Sequence, residues 1–273
     1  MERYTKRTFG LEVVMVLAGL VFCIPVYVMV NESFKSPQDL SGPLSLVTRP
    51  TLDNFRVAWE NGGLGGALMI SALVTTCSVV ILVLTTSLAS YPLARSTQAW
   101  STVVFFVFMI GLLLPFQLAL IPLYSTMREL GLLGNPLSLI LFYSGREAAF
   151  SVFLYTMFLR AQPAEYEESA AVDGCGPFRT FWFIVFPLLR PVTGTVIILN
   201  VLGVWNDFFT PLLYLSGSAF TTTPVALYAF VGQWVSQWNV VFAGLVISTL
   251  PILVLYFLMQ KTIIRGFASG LKG

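Results

Sequence analysis

The sequence predicts an all-α integral membrane protein with six transmembrane helices in a single domain, residues 1–273. Of these residues 56% are hydrophobic and only 10% are charged, whereas a soluble domain carries roughly 25% charged residues. A soluble fold of this composition would lack the polar surface to cover it, so the lipid bilayer must be its main solvent. Apolar stretches of the ~20 residues that a spanning helix needs recur along the whole chain.

The six candidate spans are separated by polar or turn-rich connections. They are predicted at residues 11–30, 66–88, 102–123, 137–159, 192–215 and 240–260. The first span follows a basic N-terminus but exceeds the ~7–15 residues of a signal-peptide core, so we expect it to be retained. Prolines such as Pro115 and Pro211 predict kinks, which membrane helices tolerate where neighbours or a cavity satisfy the freed carbonyls.

Basic residues predict the orientation of the spans. Ten lie on the side of the N-terminus, four lie on the other side, and Arg146 falls inside the fourth span. Because cytoplasmic loops are enriched in Lys and Arg, both termini are predicted to be cytoplasmic. The ten are Arg3, Lys6, Arg7, Arg95, Arg160, Arg179, Arg190, Lys261, Arg265 and Lys272, and the four are Lys35, Arg49, Arg56 and Arg128.

The residue types that are missing exclude several classes of function. The chain has no histidine, which excludes His-dependent triads and His-ligated metals. It also lacks the phosphate-binding loop that ends in Gly-Lys-Ser/Thr, and its three cysteines show no metal-ligand spacing. A net charge of +2 without a basic run gives no reason to expect nucleic acid. We therefore expect no catalytic site, no metal and no cofactor bound by this chain.

The connection at residues 160–191 predicts a short helix that ends in a sharp turn. Pro163 suits a first helical turn, and the acids that follow lie where the positive end of the helix dipole stabilises them. Small residues come next, and Gly174 is suited to a left-handed stop. A small-residue face beside an acidic one is typical of a rigid element that docks in a partner; the alternative is an ordinary connector. The residues concerned are Glu165, Glu167, Glu168, Ser169, Ala170, Asp173 and Gly174.

A second, aromatic helix is predicted directly after this turn. Gly176-Pro177 can open it, it carries Phe181 and Trp182, and we expect it to lie at the membrane surface and to break at Pro187.

The same connection resembles the Glu-Ala-Ala loop of ATP-binding-cassette importer permeases. That loop has the pattern E-A-A, three residues, G, nine residues, I-x-L-P. Here Glu168-Ser169-Ala170, Gly174 and Ile184 to Pro187 keep the full spacing, with Ser169 in place of the first Ala and Phe186 in place of Leu. The resemblance implies the importer permease fold, with a cytoplasmic coupling helix that sits in a groove of an ATPase subunit.

Three further segments are similar to carbohydrate permeases of the maltose and multiple-sugar type. They are Trp205-Asn206-Asp207-Phe208, the stretch from Thr223 to Leu227, and the tail at residues 261–273. The resemblance implies half of a sugar pathway in a prokaryotic cytoplasmic membrane. It also implies a second homologous permease, two ATPase subunits that hold ATP and Mg, and an extracytoplasmic solute-binding protein. Arg265 and Lys272 of the tail are expected to contact the ATPases.

Ionisable residues inside the predicted spans are the candidates for the translocation pathway. Arg146 and Glu147 lie in the fourth span and Asp207 in the fifth; each costs at least ~2.5–3.5 kcal/mol at mid-bilayer, so each should face the bundle interior or water. Either they line the pathway, with Trp205 and Asn206, or they pair with one another and lock the bundle. Trp205 and Asn206 equally fit helix packing.

The outer segment before the last span is uncharged but rich in indoles and amides. We predict that Gln233, Trp234, Gln237 and Trp238 contact the solute-binding protein, and the alternative is an interfacial tryptophan belt. Two other functions remain open: an importer of a non-sugar or phosphorylated solute such as a glycerol phosphate compound, and an ion-coupled secondary transporter. A membrane enzyme would need a nucleophile–base or metal constellation, and the sequence offers none.

Overall fold

The part of the chain that the structure describes is entirely helical. The computed structural model describes the backbone of residues 6–233 and 237–270 and the side chains of residues 8–228 and 237–260. Its α-helices are α1 (Lys6–Ser33), α2 (Asp53–Glu60), α3 (Leu64–Arg95), α4 (Ala99–Leu113), α5 (Gln117–Glu129), α6 (Pro136–Arg146), α7 (Ala148–Arg160), α8 (Glu165–Val172), α9 (Pro177–Thr180), α10 (Phe186–Leu188), α11 (Arg190–Asn206), α12 (Phe209–Tyr214), α13 (Thr223–Gln233) and α14 (Trp238–Gly270). One π-helical turn, Phe181–Val185, joins α9 to α10 and is called the π segment below.

Three described helical segments are long and apolar enough to cross a membrane: Thr8–Ser33, Leu64–Arg95 and Trp238–Gln260. Three bent pairs meet the same criteria of length and composition when each is taken as one span. The bends are 102° between α4 and α5, 41° between α6 and α7, and 74° between the helical stretch Pro177–Leu188 and α11. The described helices therefore provide up to six spans.

The third and fourth predicted spans are interrupted, the third beside Pro115, where a kink was predicted, and the fourth where the sequence suggested a continuous helix. In the span predicted at residues 102–123, α4 ends at Leu113 and Leu114 is extended (φ −78°, ψ 128°), as expected for a residue before a proline. In the span predicted at residues 137–159, α6 ends at Arg146 and α7 begins after Glu147.

The fifth predicted span, residues 192–215, is also wrong as a single helix. Helix α11 already begins at Arg190 and ends at Asn206, where Asp207 is extended and a separate α12 follows. The break predicted at Pro187 lies instead at Leu189, because Pro187 falls within the first turn of α10, where no backbone donor is needed.

The chain divides into two compact units. The first, Met1–Gly65 with Ala226–Pro251, is held together by side chains that fasten the loop after α1. The amide of Asn31 donates to the carbonyls of Pro43 (3.1 Å) and Ser45 (2.8 Å). Lys35, fully buried, pairs with Glu32 at 2.6 Å and donates to the Gly42 carbonyl at 2.8 Å. This polar scaffold gives the loop a defined shape.

The second unit, Gly66–Val225 with Ile252–Gly273, contains two apolar core clusters. Helix α3 contributes to both, with Val79 and Val83 in the first and Val74 in the second. The other members of the first cluster are Tyr155, Leu159, Phe181, Val185, Leu189, Val192, Val196 and Val201. The other members of the second cluster are Met127, Leu139, Ile140, Phe142, Tyr143, Val204, Tyr214 and Leu215.

Candidate functional site

The three ionisable residues of the predicted fourth and fifth spans lie together. Arg146 Nε is 3.2 Å from Glu147 Oε1, and Arg146 Nη1 is 3.4 Å from Asp207 Oδ2. The guanidinium also lies over the Phe116 ring, 4.3 Å from its centroid. One cation thus meets two carboxylates and an aromatic face, so the pairing alternative describes the observed geometry.

Asp207 holds this cluster at the break between α11 and α12. Its Oδ2 accepts hydrogen bonds from the hydroxyls of Tyr143 (3.1 Å) and Thr210 (2.7 Å). Its Oδ1 accepts from the backbone amides of Phe209 (3.0 Å) and Thr210 (3.3 Å). The first amides of a helix have no partner within that helix, and the Asp207 side chain supplies one here. A break in an apolar helix is tolerated when its polar backbone groups are satisfied in this way.

The two neighbours of Asp207 that were predicted for the pathway face different surroundings. Trp205 is buried, with 8% of its surface exposed, which agrees with the packing alternative. Asn206 is exposed, and its amide donates to the Leu202 carbonyl at 2.9 Å. The structure therefore places Asp207 in one cluster with Arg146 and Glu147. It does not bring Trp205 and Asn206 into that cluster together.

A cavity of about 380 Å³ opens beside Arg146. Its walls come from the end of α4, from α5 and from α6, and Arg146 is the only charged residue among them. Phe116 and Phe142 supply aromatic faces. Sequence patterns did not indicate the α4–α5 side of this cavity; the one local signal was Pro115, which ends α4 and begins the turn that carries Phe116.

The predicted short helix after Pro163 is present as α8, Glu165–Val172. It begins two residues after Pro163, and its first turn holds the three predicted acids. Gly174 has a φ of +79°, so the predicted left-handed stop is confirmed.

Two of the predicted docking residues of α8 are engaged within this chain. Glu167 accepts from Arg95 at 2.9 to 3.2 Å, and only 12% of its side chain is exposed. Ala170 is buried, with 4% exposed, on the side of α8 that meets α9 and the π segment.

The other face of α8 is open. At 100° per residue, Glu165, Glu168, Ser169 and Val172 project to the side opposite Glu167 and Ala170, and all four are exposed. Asp173 and Gly174 are exposed at the end of the helix. The sequence suggested a small-residue face beside an acidic one; in the structure, acidic and small residues occur on both the anchored face and the free face.

Aromatic side chains pack the segment that follows the α8 turn against α3. Phe181 of the π segment is buried, and its ring centroid is 5.7 Å from that of Tyr91 on α3 and 5.1 Å from that of Trp182. This confirms the aromatic helix that the sequence predicted after Gly176-Pro177, and it places the helix against the chain's own core.

Several predicted contact residues lie outside the described side chains. They are Gln233, Trp234, Arg265 and Lys272. Of the remaining two, Gln237 is half-buried and Trp238 is 52% exposed at the start of α14.

The chain matches a family described as "Binding-protein-dependent transport system inner membrane component" over residues 81–269. It is 31% identical to the probable starch degradation products transport system permease protein AmyC of Thermoanaerobacterium thermosulfurigenes, over 99% of this chain and 98% of that protein. It is also 31% identical to the melibiose/raffinose/stachyose import permease MelC of Bacillus subtilis, over 97% of both chains. Identity to the multiple sugar-binding transport system permease MsmG of Streptococcus mutans is 32%, over 96% of both.

A solved structure has the same fold. It is a bacterial ABC transporter involved in the import of the acidic polysaccharide alginate, and one chain of it superposes with a TM-score of 0.83. The match covers 96% of this chain and all of that chain, at 21% sequence identity.

Proposed function

This chain belongs to the family of binding-protein-dependent transport system inner membrane components, and from that premise we propose that it is a permease subunit of an ATP-driven sugar importer. It forms half of the translocation pathway beside a second homologous permease. Two ATPase subunits, which hold ATP and Mg, drive the alternation of access, and an extracytoplasmic binding protein delivers the solute. The names of three near full-length relatives, for starch products, melibiose-type oligosaccharides and multiple sugars, support the substrate class.

The observation that carries the proposal is the free face of α8. Apolar groups on α8 and just after its turn are exposed near these acids: 56% of Tyr166, 88% of Val172 and 68% of Phe178. Exposed apolar residues that cluster beside charges are typical of a protein interface. We assign the ATPase contact to Glu165, Glu168, Ser169, Asp173 and Gly174, with Glu167 and Ala170 fixing the helix that presents them.

The charge cluster favours an uncharged solute over a phosphorylated one. Arg146 is the only Lys or Arg in the six predicted spans, and it already faces the carboxylates of Glu147 and Asp207. The two carboxylates offset its positive charge, which leaves less attraction for the negative charge of a phosphate. The cavity beside it offers aromatic walls, which suit the apolar faces of a sugar ring. We place this cavity, with Arg146, Glu147 and Asp207, on the pathway, and Trp205 and Asn206 in the helix that borders it.

The remaining contacts follow the proposed orientation in a prokaryotic cytoplasmic membrane. Both termini and α8 face the cytoplasm, so the C-terminal tail with Arg265 and Lys272 reaches the ATPases. The segment from Gln233 to Trp238 faces outward and contacts the binding protein, with Trp234 and Trp238 as its largest apolar groups.

Reconstitution tests this function directly. The chain is co-expressed with its second permease and ATPase subunits, purified as a complex, and placed in liposomes with the binding protein outside and ATP inside. Uptake of labelled raffinose and maltotriose is then measured with and without ionophores. We expect the ATPases to co-purify and uptake of one of these neutral sugars to need ATP and to survive the ionophores. An ATPase variant without its phosphate-loop lysine is the control and should abolish uptake.

Two results would contradict the proposal. Uptake that needs an ion gradient and no ATP would identify an ion-coupled carrier. ATP-driven uptake of glycerol phosphates but of neither neutral sugar would identify an importer of phosphorylated solutes.

A further inference from the structure

We propose that the Arg95–Glu167 ion pair is a positioning contact that ties α3 to α8 and carries ATPase motion into the spans; this inference rests on the proposed function. Arg95 Nε donates to both Glu167 carboxylate oxygens, at 3.0 and 3.2 Å, and Nη2 donates to Oε1 at 2.9 Å. Its Nη1 donates to the Gln162 carbonyl at 3.1 Å. A single guanidinium is therefore hydrogen-bonded both to α8 and to the segment that leads into it.

The surroundings of the pair make it stronger than an ordinary surface ion pair. The Arg95 and Glu167 side chains are 20% and 12% exposed, so solvent screens them little. A guanidinium that donates several bonds to one carboxylate also fixes direction as well as distance. Arg95 is the last residue of α3 and Glu167 lies in the first turn of α8, and each charge suits the dipole at its helix end.

Besides this pair, α8 is joined to the core by the chain segment from α7 and by its buried Ala170, which meets α9 and the π segment. The π segment packs on α3 through the rings of Phe181 and Tyr91. The path along the chain from α8 to α11 passes a π-helical turn and a 74° bend before it enters a span. A helix can bend at either feature, so part of a displacement of α8 would be lost there.

The ion pair leads instead into the 32-residue helix α3. Val79 and Val83 of α3 lie in the first core cluster, and Val74 lies in the second. The second cluster also contains Tyr143, whose hydroxyl donates to Asp207. A displacement of α8 that reaches α3 is thus delivered to both cores and to the residues that hold the charge cluster.

The test measures solute taken up per ATP hydrolysed in the reconstituted complex described above. We expect Arg95→Ala and Glu167→Gln each to lower this ratio about threefold to tenfold, while the ATPase subunits still co-purify. The double variant Arg95→Glu, Glu167→Arg restores the opposite charges in swapped positions and should recover at least half of the wild-type ratio. Arg95→Lys keeps the charge without the fork of donors and should fall in between.

A second ion pair of the same chain provides the matched control. Arg56 and Asp53 are 3.5 Å apart and 68% and 75% exposed, and Arg56→Ala with Asp53→Asn should leave the ratio unchanged. The inference is overturned if the single variants keep the wild-type ratio, if the swap restores nothing, or if the whole loss reflects ATPase subunits that no longer bind. Failure of the ATPases to co-purify with the wild-type chain would instead overturn the proposed function.

Discussion

Asp207 shows how much of this architecture can depend on one carboxylate. It accepts hydrogen bonds from two hydroxyls and two backbone amides, and it faces the guanidinium of Arg146. Removal of the carboxylate would take this acceptor from all of these donors at once. Asp207, which the sequence predicted as a pathway residue, is therefore also the residue that stabilises the break between α11 and α12.

Replacing Asp207 should reveal both roles. We expect Asp207→Ala to lower the free energy of unfolding by about 2–4 kcal/mol, because α12 loses its first acceptor and Arg146 loses a partner. Asp207→Asn keeps an acceptor for the amides and should cost less. Thermal unfolding of the detergent-purified protein measures the change, and the exposed Asp53→Ala is the control. Equal effects of the Ala and Asn variants would contradict the capping role.

Two glycines two residues apart offer a matched test of the turn after α8. Gly174 has a φ of +79° and Gly176 a φ of −71°, and a Cβ on either would meet no atom within 4 Å. We expect Gly174→Ala to cost about 1 kcal/mol from backbone strain alone and to weaken ATPase co-purification. Gly176→Ala should leave binding unchanged. If both variants bind alike, the left-handed turn does not position α8.

At the scale of elements, α8 is a helix with one anchored face and one free face. Ala170 and Glu167 anchor it, and the rest of its length is exposed. A helix of eight residues is too short to be stable in water by itself, so these two contacts must hold it in shape. We therefore expect the binding of the ATPase subunits to depend on Ala170 and Glu167, although these side chains face other parts of this chain.

Enlarging either Ala170 or Ala171 tests which residues of α8 anchor the helix. Ala170→Leu overfills a packed position, a change that typically costs about 1–3 kcal/mol, and should raise hydrogen exchange of the α8 amides about tenfold. The neighbouring Ala171 is exposed, so Ala171→Leu should leave exchange unchanged in the free permease. Equal exchange in the two variants would show that Ala170 does not anchor the helix.

Sequence patterns predicted the helical elements better than their interruptions. Hydropathy marked residues 192–215 as one span because Trp205 to Phe209 are mostly apolar or lie among apolar residues. The chain breaks there because Asp207 can satisfy the amides of α12, a local hydrogen-bonding effect that an apolarity window does not register. Gly174 was predictable because a left-handed stop after a helix favours the one residue type without a Cβ, which the sequence shows directly.

At the scale of the whole molecule, the contacts that define the site link distant parts of the sequence. Arg146 and Asp207 are 61 residues apart, and Arg95 and Glu167 are 72 apart. The cost of inserting charged residues predicted that Arg146 and Asp207 would face inward. It left open whether they would line the pathway or pair with each other. The second pair could not be predicted, because a loop glutamate and a helix-end arginine are both ordinary surface residues until the fold brings them together.

The orientation of the molecule gives the last prediction, since the distribution of basic residues predicts that α8 lies on the cytoplasmic side. In a chain with Cys23, Cys77 and Cys175 replaced, Ser169→Cys should react with a membrane-impermeant maleimide only in inverted vesicles. Ser41→Cys, in the exposed loop after α1, should react only in right-side-out vesicles.

The same labelling experiment can also test whether α8 contacts the ATPase subunits. Adding purified ATPase subunits to the inverted vesicles should protect the Ser169→Cys variant, because its side chain lies on the free face of α8. Protection must be absent at Ser41→Cys in permeabilised vesicles, where both sides are accessible to the reagent and to the ATPases. Labelling of Ser169→Cys from the outside would reverse the proposed topology. Labelling from the inside without protection would keep the topology but remove α8 as the ATPase contact.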